Sequence, residues 1–407
     1  MGASSPVAPS PLVQRGHGAY AKYCATCHGE FASGYVADNA PSLRSPTFLS
    51  TASDDFVRAG ITRGRPGTAM AGYGRSVGGP LEPADVNAII AFLRDGGPPP
   101  RVLPPGRPLG DATRGKIVYD ASCARCHGTP TQRLTALHLA NPILLETASN
   151  EFLRIAIEEG RPPTSMVAWK NVLQPAQIDD VLAYLRSAGF KAAPGGAPLA
   201  FARATGGTNG TDGRAPGAVP PAAAAPGQPS PPPGSPPLLP RTGPIVLNPK
   251  GRRPDFSLKE GLYVSIDQVK SALDHKQRMI IADARAPSDW LKMHIKGAIS
   301  TPYYDFKSLD DVPNDGTWVL AYCACPHHVS GEVVAELRKR GYPHTAVIDE
   351  GIYAWQQKGY PVVAAPGQPP IPAPPPMPTP SSIAAPPPPS IAAPGPSRPA
   401  PPPAAHP

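Results

Sequence analysis

GHGAYAKYCATCHG (residues 16–29) returns further along the chain as GKIVYDASCARCHG (residues 115–128). Two more blocks recur in the same order. TASDDFVRAGITRGRPGTAM (51–70) matches TASNEFLRIAIEEGRPPTSM (147–166), and LEPADVNAIIAFLR (81–94) matches LQPAQIDDVLAYLR (173–186). Three blocks in one order mean a duplicated domain. In the last block Val86, Ile89, Ile90 and Leu93, like Ile178, Val181, Leu182 and Leu185, recur at helical spacing, with Pro83 and Pro175 where a first helical turn tolerates proline. Ser53 and Ser149 stand where they can cap the middle helices. Short helices in copies of about eighty residues leave little core, so something must fill the middle of each.

The Cys-x-x-Cys-His motifs, Cys24 to His28 and Cys123 to His127, supply that filler. Two thiols three residues apart can form thioethers to the vinyl groups of a haem while the adjacent histidine reaches the iron. The alternatives are half of a zinc site or a thiol redox pair, but neither copy brings the second cysteine pair that a zinc ribbon needs. The sixth ligand follows by elimination. Apart from Met1, the only methionines before residue 192 are Met70 and Met166, each after Gly-Arg-Pro-x-Thr-x in a proline-stiffened loop. A thioether ligand raises the potential and leaves no open position on iron, which suits electron transfer and argues against an enzyme acting at haem iron. His17 is the alternative axial ligand; Tyr73 and Trp169, three residues after the methionines, are expected to pack on haem.

Composition divides the rest. With 61 prolines and 40 glycines in 407 residues, the chain reads as small domains on linkers. The expected divisions are residues 13–97, a Pro-rich linker 98–110, residues 111–191, a Pro/Ala/Gly-rich linker 192–254, a third domain 255–363, and a disordered tail 364–407. As a flexible coil the second linker would reach roughly 45 Å. The formal charge of +8 is concentrated in residues 192–254, which contribute +5, so a nucleic-acid surface is not expected. No apolar run is long enough for a transmembrane helix, and Met1 to Leu12 lacks the regions of a signal peptide. The six cysteines form three pairs too close in sequence to be a disulfide framework.

Both copies resemble class I c-type cytochrome domains in the glycine and aromatic before CxxCHG, the methionine loop and the closing L-x-P-A-x-[VI] helix. The resemblance implies an all-helical fold around covalently bound haem c, hence two such groups, with an exposed haem edge through which electrons pass. It also implies haem attachment outside the cytoplasm, in a periplasmic setting, the signal peptide being absent from this sequence. The run GASSP after Met1 resembles the residues behind an acylated lipoprotein cysteine and hints at an N-terminal lipid anchor.

From Asp255 the pattern changes. Ser265 opens a capping box (SIDQ), MIIAD, TWVLAYC and TAVIDE read as buried strands, and GEVVAELRKRGY as an amphipathic helix. Alternating strands and helices predict a parallel α/β sheet, with the ligand site at the strand ends. AYCACPHHVSG (321–331) lies there, between the strand at Val319–Tyr322 and a helix starting near Ser330. Asp283-Ala-Arg285, Trp290, His294 to Ala298 and Pro302, then Glu350-Gly351-Ile352, Trp355 and Gly359 to Val362, resemble the rhodanese family. The resemblance implies that a cysteine in this loop carries sulfane sulfur as a persulfide. A helix N-terminus favours the thiolate that such a role needs.

Counted back from the helix, Cys325 gives a loop one residue shorter than the family's and Cys323 one residue longer; Cys325-Pro326 resembles a known loop variant, so Cys325 is the expected nucleophile and Cys323 its alternative. The family's loop cation is replaced by His327 and His328, which bind thiosulfate less well than arginine when neutral. A Cys323/Cys325 dithiol couple, a soft-metal site and an inert loop remain the other readings. Asp283 and Arg285 are expected to be a structural ion pair and His294 a packed residue. Two functions compete: a dihaem cytochrome exchanging electrons with redox partner proteins while its third domain handles a small sulfane-sulfur species, or an electron-transfer subunit in which that domain only docks.

Overall fold

The computed structural model describes residues 9–37, 39–130, 134–191, 244–324, 328–368 and 371; the expected anchor, the linker from 192 to 243 and nearly all of the expected tail lie outside them. Each repeat is five helices in the same order. The first has α1 (Pro11–Tyr23), α2 (Ala25–His28), α3 (Pro46–Thr51), α4 (Asp54–Arg63) and α5 (Pro83–Arg94). The second has α6 (Ala112–Ser122), α7 (Ala124–His127), α8 (Pro142–Thr147), α9 (Asn150–Glu159) and α10 (Pro175–Arg186), followed by α11 (Ala188–Lys191). Ser53 and Ser149 cap α4 and α9, accepting the Phe56 and Phe152 amides at 3.1 and 3.0 Å. Pro83 and Pro175 open α5 and α10, which also carry capping boxes from Glu82/Asp85 and Gln174/Gln177.

The first and last helices of each repeat cross at a glycine. A Cβ on Gly16 would lie 1.9 Å from the Ala88 carbonyl oxygen, and one on Gly115 would lie 1.9 Å from that of Asp180. The glycine before each Cys-x-x-Cys-His motif is therefore a contact residue. The closing arginines do a second job. Arg94 donates to the Leu49 and Ala52 carbonyls at the end of α3, and Arg186 to those of Leu145 and Ala148 at the end of α8, so each closing helix satisfies acceptors that a helix terminus leaves without partners.

The repeats face each other by exchange. Ser45 Oγ, at the start of α3, donates to the Pro162 carbonyl, and its counterpart Asn141 donates through Nδ2 to the Pro66 carbonyl, both at 2.9 Å. Phe56 and Phe152 meet between them with centroids 4.8 Å apart, and Arg63 grips Glu146 with two hydrogen bonds of 2.9 and 2.8 Å. Residues 98–110, expected as a loose linker, are laid along this seam: the Arg101 amide donates to the Ser50 carbonyl, its guanidinium pairs with Glu159, and Leu103 packs on the second repeat's core.

The third domain runs β1 (Tyr263–Val264), α12 (Ile266–Asp274), β2 (Met279–Asp283), α13 (Pro287–Lys292), β3 (His294–Ile295), β4 (Ile299–Ser300), β5 (Trp318–Tyr322), α14 (His328–Lys339), β6 (Thr345–Ile348), α15 (Gly351–Gln357) and β7 (Val362–Val363). Five parallel strands stand in the order β1-β6-β5-β2-β4, and β3 pairs antiparallel with β7. Every residue of β2, β5 and β6 is buried, as covering both faces of a parallel sheet requires. The domain begins before residue 255, because Leu247 pairs with Met279 and Trp318 Nε1 donates to the Pro254 carbonyl. It also runs past residue 363, since the Ala365 amide bonds the Leu291 carbonyl. Among the described residues no helix is long and apolar enough to cross a membrane.

The glycine crossing gives a paired test. Gly16→Ala should force α1 off α5 and cost about 1–3 kcal/mol, the usual penalty of overpacking. Gly18→Ala, with open space around it, should stabilise α1 by up to about 1 kcal/mol. Urea denaturation followed by far-ultraviolet circular dichroism measures both.

Candidate functional site

In each repeat the first helix delivers its motif through a short second one, with Cys24 and Cys123 at the junctions. Tyr20 and Tyr119 fix that junction, their hydroxyls donating to the Gly29 and Gly128 carbonyls at 2.8 and 2.9 Å. Burial, reinforced by the neighbouring Cys27, pushes the Cys24 thiol up to about 12; burial, reinforced by Cys126, pushes Cys123 up to about 11. Burial thus favours the neutral thiol at both positions.

The histidine rings are each held in one orientation. His28 Nδ1 lies 2.9 Å from the Pro41 carbonyl, and His127 Nδ1 lies 2.7 Å from that of Leu137. A carbonyl can only accept, so Nδ1 carries the proton and Nε2 is left as the lone-pair nitrogen. Burial pushes both imidazoles below their ordinary range, which keeps them neutral. His17 lies exposed against Phe92, 5.1 Å between ring centroids, and His138 Nε2 meets the Thr129 carbonyl.

Each methionine sits in a loop closed on itself. The Arg65 amide donates to the Met70 carbonyl and the Met70 amide to Thr68 Oγ1; Arg161, Met166 and Thr164 repeat the arrangement. The arginines are the residues that the sequence reading passed over. Arg65 lies over Phe56 and Arg161 over Phe152, on either side of the aromatic pair joining the repeats. Burial lowers both guanidinium groups to about 10, and Arg161 Nη1 is buried without a hydrogen-bond partner. A paired thiol set, an imidazole with a bare Nε2, a half-buried thioether and a desolvated guanidinium whose buried Nη1 has no hydrogen-bond partner among the described residues together fit a haem, whose carboxylates would supply that partner. The repetition of Gly-Arg-Pro before each methionine was the available signal.

In the third domain Cys323 directly follows β5. It is 1% exposed within the core, its Sγ lies 3.3 Å from Ser330 Oγ, and its carbonyl accepts the Ile352 amide. Cys325, Pro326 and His327 lie outside the described residues. α14 begins at His328, two residues earlier than expected. The structure does not leave His328 beside the loop as an anion ligand: Nε2 donates to the Thr26 carbonyl at 2.6 Å, inside the first Cys-x-x-Cys-His motif. Asp283 and Arg285 form a buried pair, Nη2 to Oδ2 at 2.6 Å and Nε to Oδ1 at 2.9 Å, completed by the Tyr322 hydroxyl on Oδ2 at 2.7 Å. Burial opposes the Arg285 charge, but the Asp283 carboxylate outweighs it and holds the guanidinium above its ordinary range. His294 stacks on Trp290 with centroids 3.9 Å apart.

Three segments of the chain match known protein families. Residues 11–93 and 110–185 match the family described as cytochrome c oxidase, cbb3-type, subunit III, and residues 265–358 match the rhodanese-like domain. A cbb3-type cytochrome c oxidase subunit CcoP of Azospirillum sp. (strain B510) is 28% identical over 184 residues, 41% of this chain and 58% of that protein. A subunit FixP of Bradyrhizobium sp. (strain ORS 278) is 27% identical over 185 residues, 43% of this chain and 60% of that one. The chain thus spans about three fifths of the length of these curated relatives. A solved rhodanese-like domain from Anabaena sp. is 25% identical, covering 25% of this chain and 78% of its own, with a TM-score of 0.24.

The pair beneath the cysteine loop can be tested directly. Asp283→Asn strands Arg285 as an uncompensated buried charge and should destabilise the third domain by about 3–5 kcal/mol. The shift of its chemical-denaturation midpoint, followed by tryptophan fluorescence, measures the effect.

Proposed function

Since the chain holds two cytochrome c domains of the cbb3 type, which imply covalently bound haem c, and a rhodanese-like domain, we propose that it is an extracytoplasmic dihaem electron-transfer protein whose third domain handles sulfane sulfur. Cys24 and Cys27, and Cys123 and Cys126, would hold the groups covalently, and His28 with Met70, and His127 with Met166, would ligate the irons. When bound, each haem supplies a one-electron reservoir at raised potential with no open coordination position. In the third domain the Cys325 thiolate would take up the sulfur of hydrosulfide as a persulfide: one S–S bond would form, one proton would go to water, and the two electrons would pass to one-electron oxidants such as the ferric groups that the two repeats would hold. Cys323, packed in the core, is the support of that loop and not its nucleophile.

The observation that carries the coupling is the bond from His328 to the Thr26 carbonyl, because it ties the helix after the sulfur loop to the residue between Cys24 and Cys27. CcoP and FixP are named as subunits of cbb3-type oxidases, so the proposed partners are proteins of a respiratory chain. The second reading, an electron-transfer subunit whose rhodanese-like domain only docks, draws on the same interface and on the loop's lack of arginine.

The holoprotein should show a mass two haem additions above the apoprotein. Met70→Ala and Met166→Ala should each lower the potential of one haem and open its sixth position to added imidazole; unchanged redox titrations in both would remove the methionines as ligands. Anaerobic sulfide should reduce the haems and leave one sulfur on Cys325, and Cys325→Ser should abolish both while haem content stays at two. Reduction at the wild-type rate in Cys325→Ser would favour the docking reading.

A further inference from the structure

The rhodanese-like domain sits on one particular face of the first repeat. Tyr303 donates its hydroxyl to the Tyr23 carbonyl at 2.7 Å and meets the Tyr73 hydroxyl at 3.0 Å; Ser288 Oγ donates to the Gly72 carbonyl at 2.6 Å, and the Tyr353 hydroxyl to that of Thr68 at 3.2 Å. With the His328 bond to Thr26, these contacts reach residues on both sides of Met70 and both the start and the middle of the first cysteine motif. Ala71 and Tyr73 are left 4% and 8% exposed. The same face of the second repeat has a different fate. Val167, the counterpart of Ala71, is 57% exposed, Val172 is 67% exposed, and Arg125 is exposed as well. Among the described residues, Arg125 and Lys170 are exposed cations on this face, while nearby Glu159 is already paired with Arg101 and Glu158 with Arg107.

We propose that the two repeats divide the protein's electron traffic: the first gives its methionine and cysteine face to the chain's own rhodanese-like domain, and the second presents the equivalent face to an external, acidic one-electron carrier protein. This rests on the reading that both repeats hold haem. The Val167 and Val172 side chains provide the apolar centre of the docking patch, and Arg125 and Lys170 the charge that attracts an acidic partner. Each encounter moves one electron from a ferrous haem to one oxidised carrier, leaving the haem ferric and the carrier reduced, with no bond made or broken. The first repeat exchanges electrons with its docked domain and with the second repeat, and the second repeat is the outlet.

Oxidation of the ascorbate-reduced holoprotein by oxidised plastocyanin, an acidic copper protein, tests the division by stopped flow. Lys170→Glu and Val172→Asp, both at exposed positions, should each lower the second-order rate about tenfold, and Lys170→Glu should flatten its decline with salt. Lys22→Glu, at an exposed lysine beside the covered face, should leave the rate unchanged. Wild-type rates in Lys170→Glu or Val172→Asp, or a loss in Lys22→Glu as large as theirs, would overturn the proposal. Because ascorbate supplies the electrons and haem content is measured on the same samples, a chain with fewer than two haems would signal failure of the dihaem reading instead.

Discussion

Two helices that touch through a backbone carbonyl set the scale of each repeat. With Gly16 against Ala88 and Gly115 against Asp180, no side chain separates the first helix from the last, and the cysteines just beyond α1 and α6 are aimed from a fixed start. Tyr20 and Tyr119, closing on Gly29 and Gly128, then determine where the short helices α2 and α7 end. In a helical shell this small, the haem proposed for each repeat would be part of the architecture and not merely of the function.

The interfaces are made by residues that also serve the sites. The loop bearing each methionine offers a proline carbonyl to the opposite repeat, and the arginine before that proline lies on the phenylalanine that meets its counterpart across the seam. Moving one repeat relative to the other would therefore disturb both methionine loops at once. The seam is apolar at its centre, with ion pairs at its rim, where exposed pairs add little energy but fix orientation.

The contact between the rhodanese-like domain and the first repeat is of another kind. Hydroxyl and imidazole groups of the third domain donate to backbone carbonyls at Tyr23, Thr26, Thr68 and Gly72. Carbonyl acceptors exist at every position, so these bonds leave no mark in the first repeat's sequence, although the Tyr23 and Tyr73 rings also meet Tyr304. Tyr73 illustrates the consequence: expected to pack on haem, it joins its hydroxyl to Tyr303 of the other domain.

The amino-acid sequence by itself determined the duplication, the helix starts at Ser53, Ser149, Pro83 and Pro175, the central strands of the sheet, and the cysteine, histidine and methionine sets proposed for haem. These are legible because each depends on local spacing or on a chemistry that few residue types supply. The short strands β1 and β4, two residues each, left no periodic signal, and the third domain's first residues were hidden in a proline-rich composition although Leu247 pairs with Met279. Tertiary structure alone decided that residues 98–110 line the seam, that Arg65 and Arg161 are buried cations, and that His328 belongs to an interface with Thr26. Each of these depends on which backbone carbonyl or aromatic ring arrives from a distant part of the chain, and sequence spacing carries no record of that.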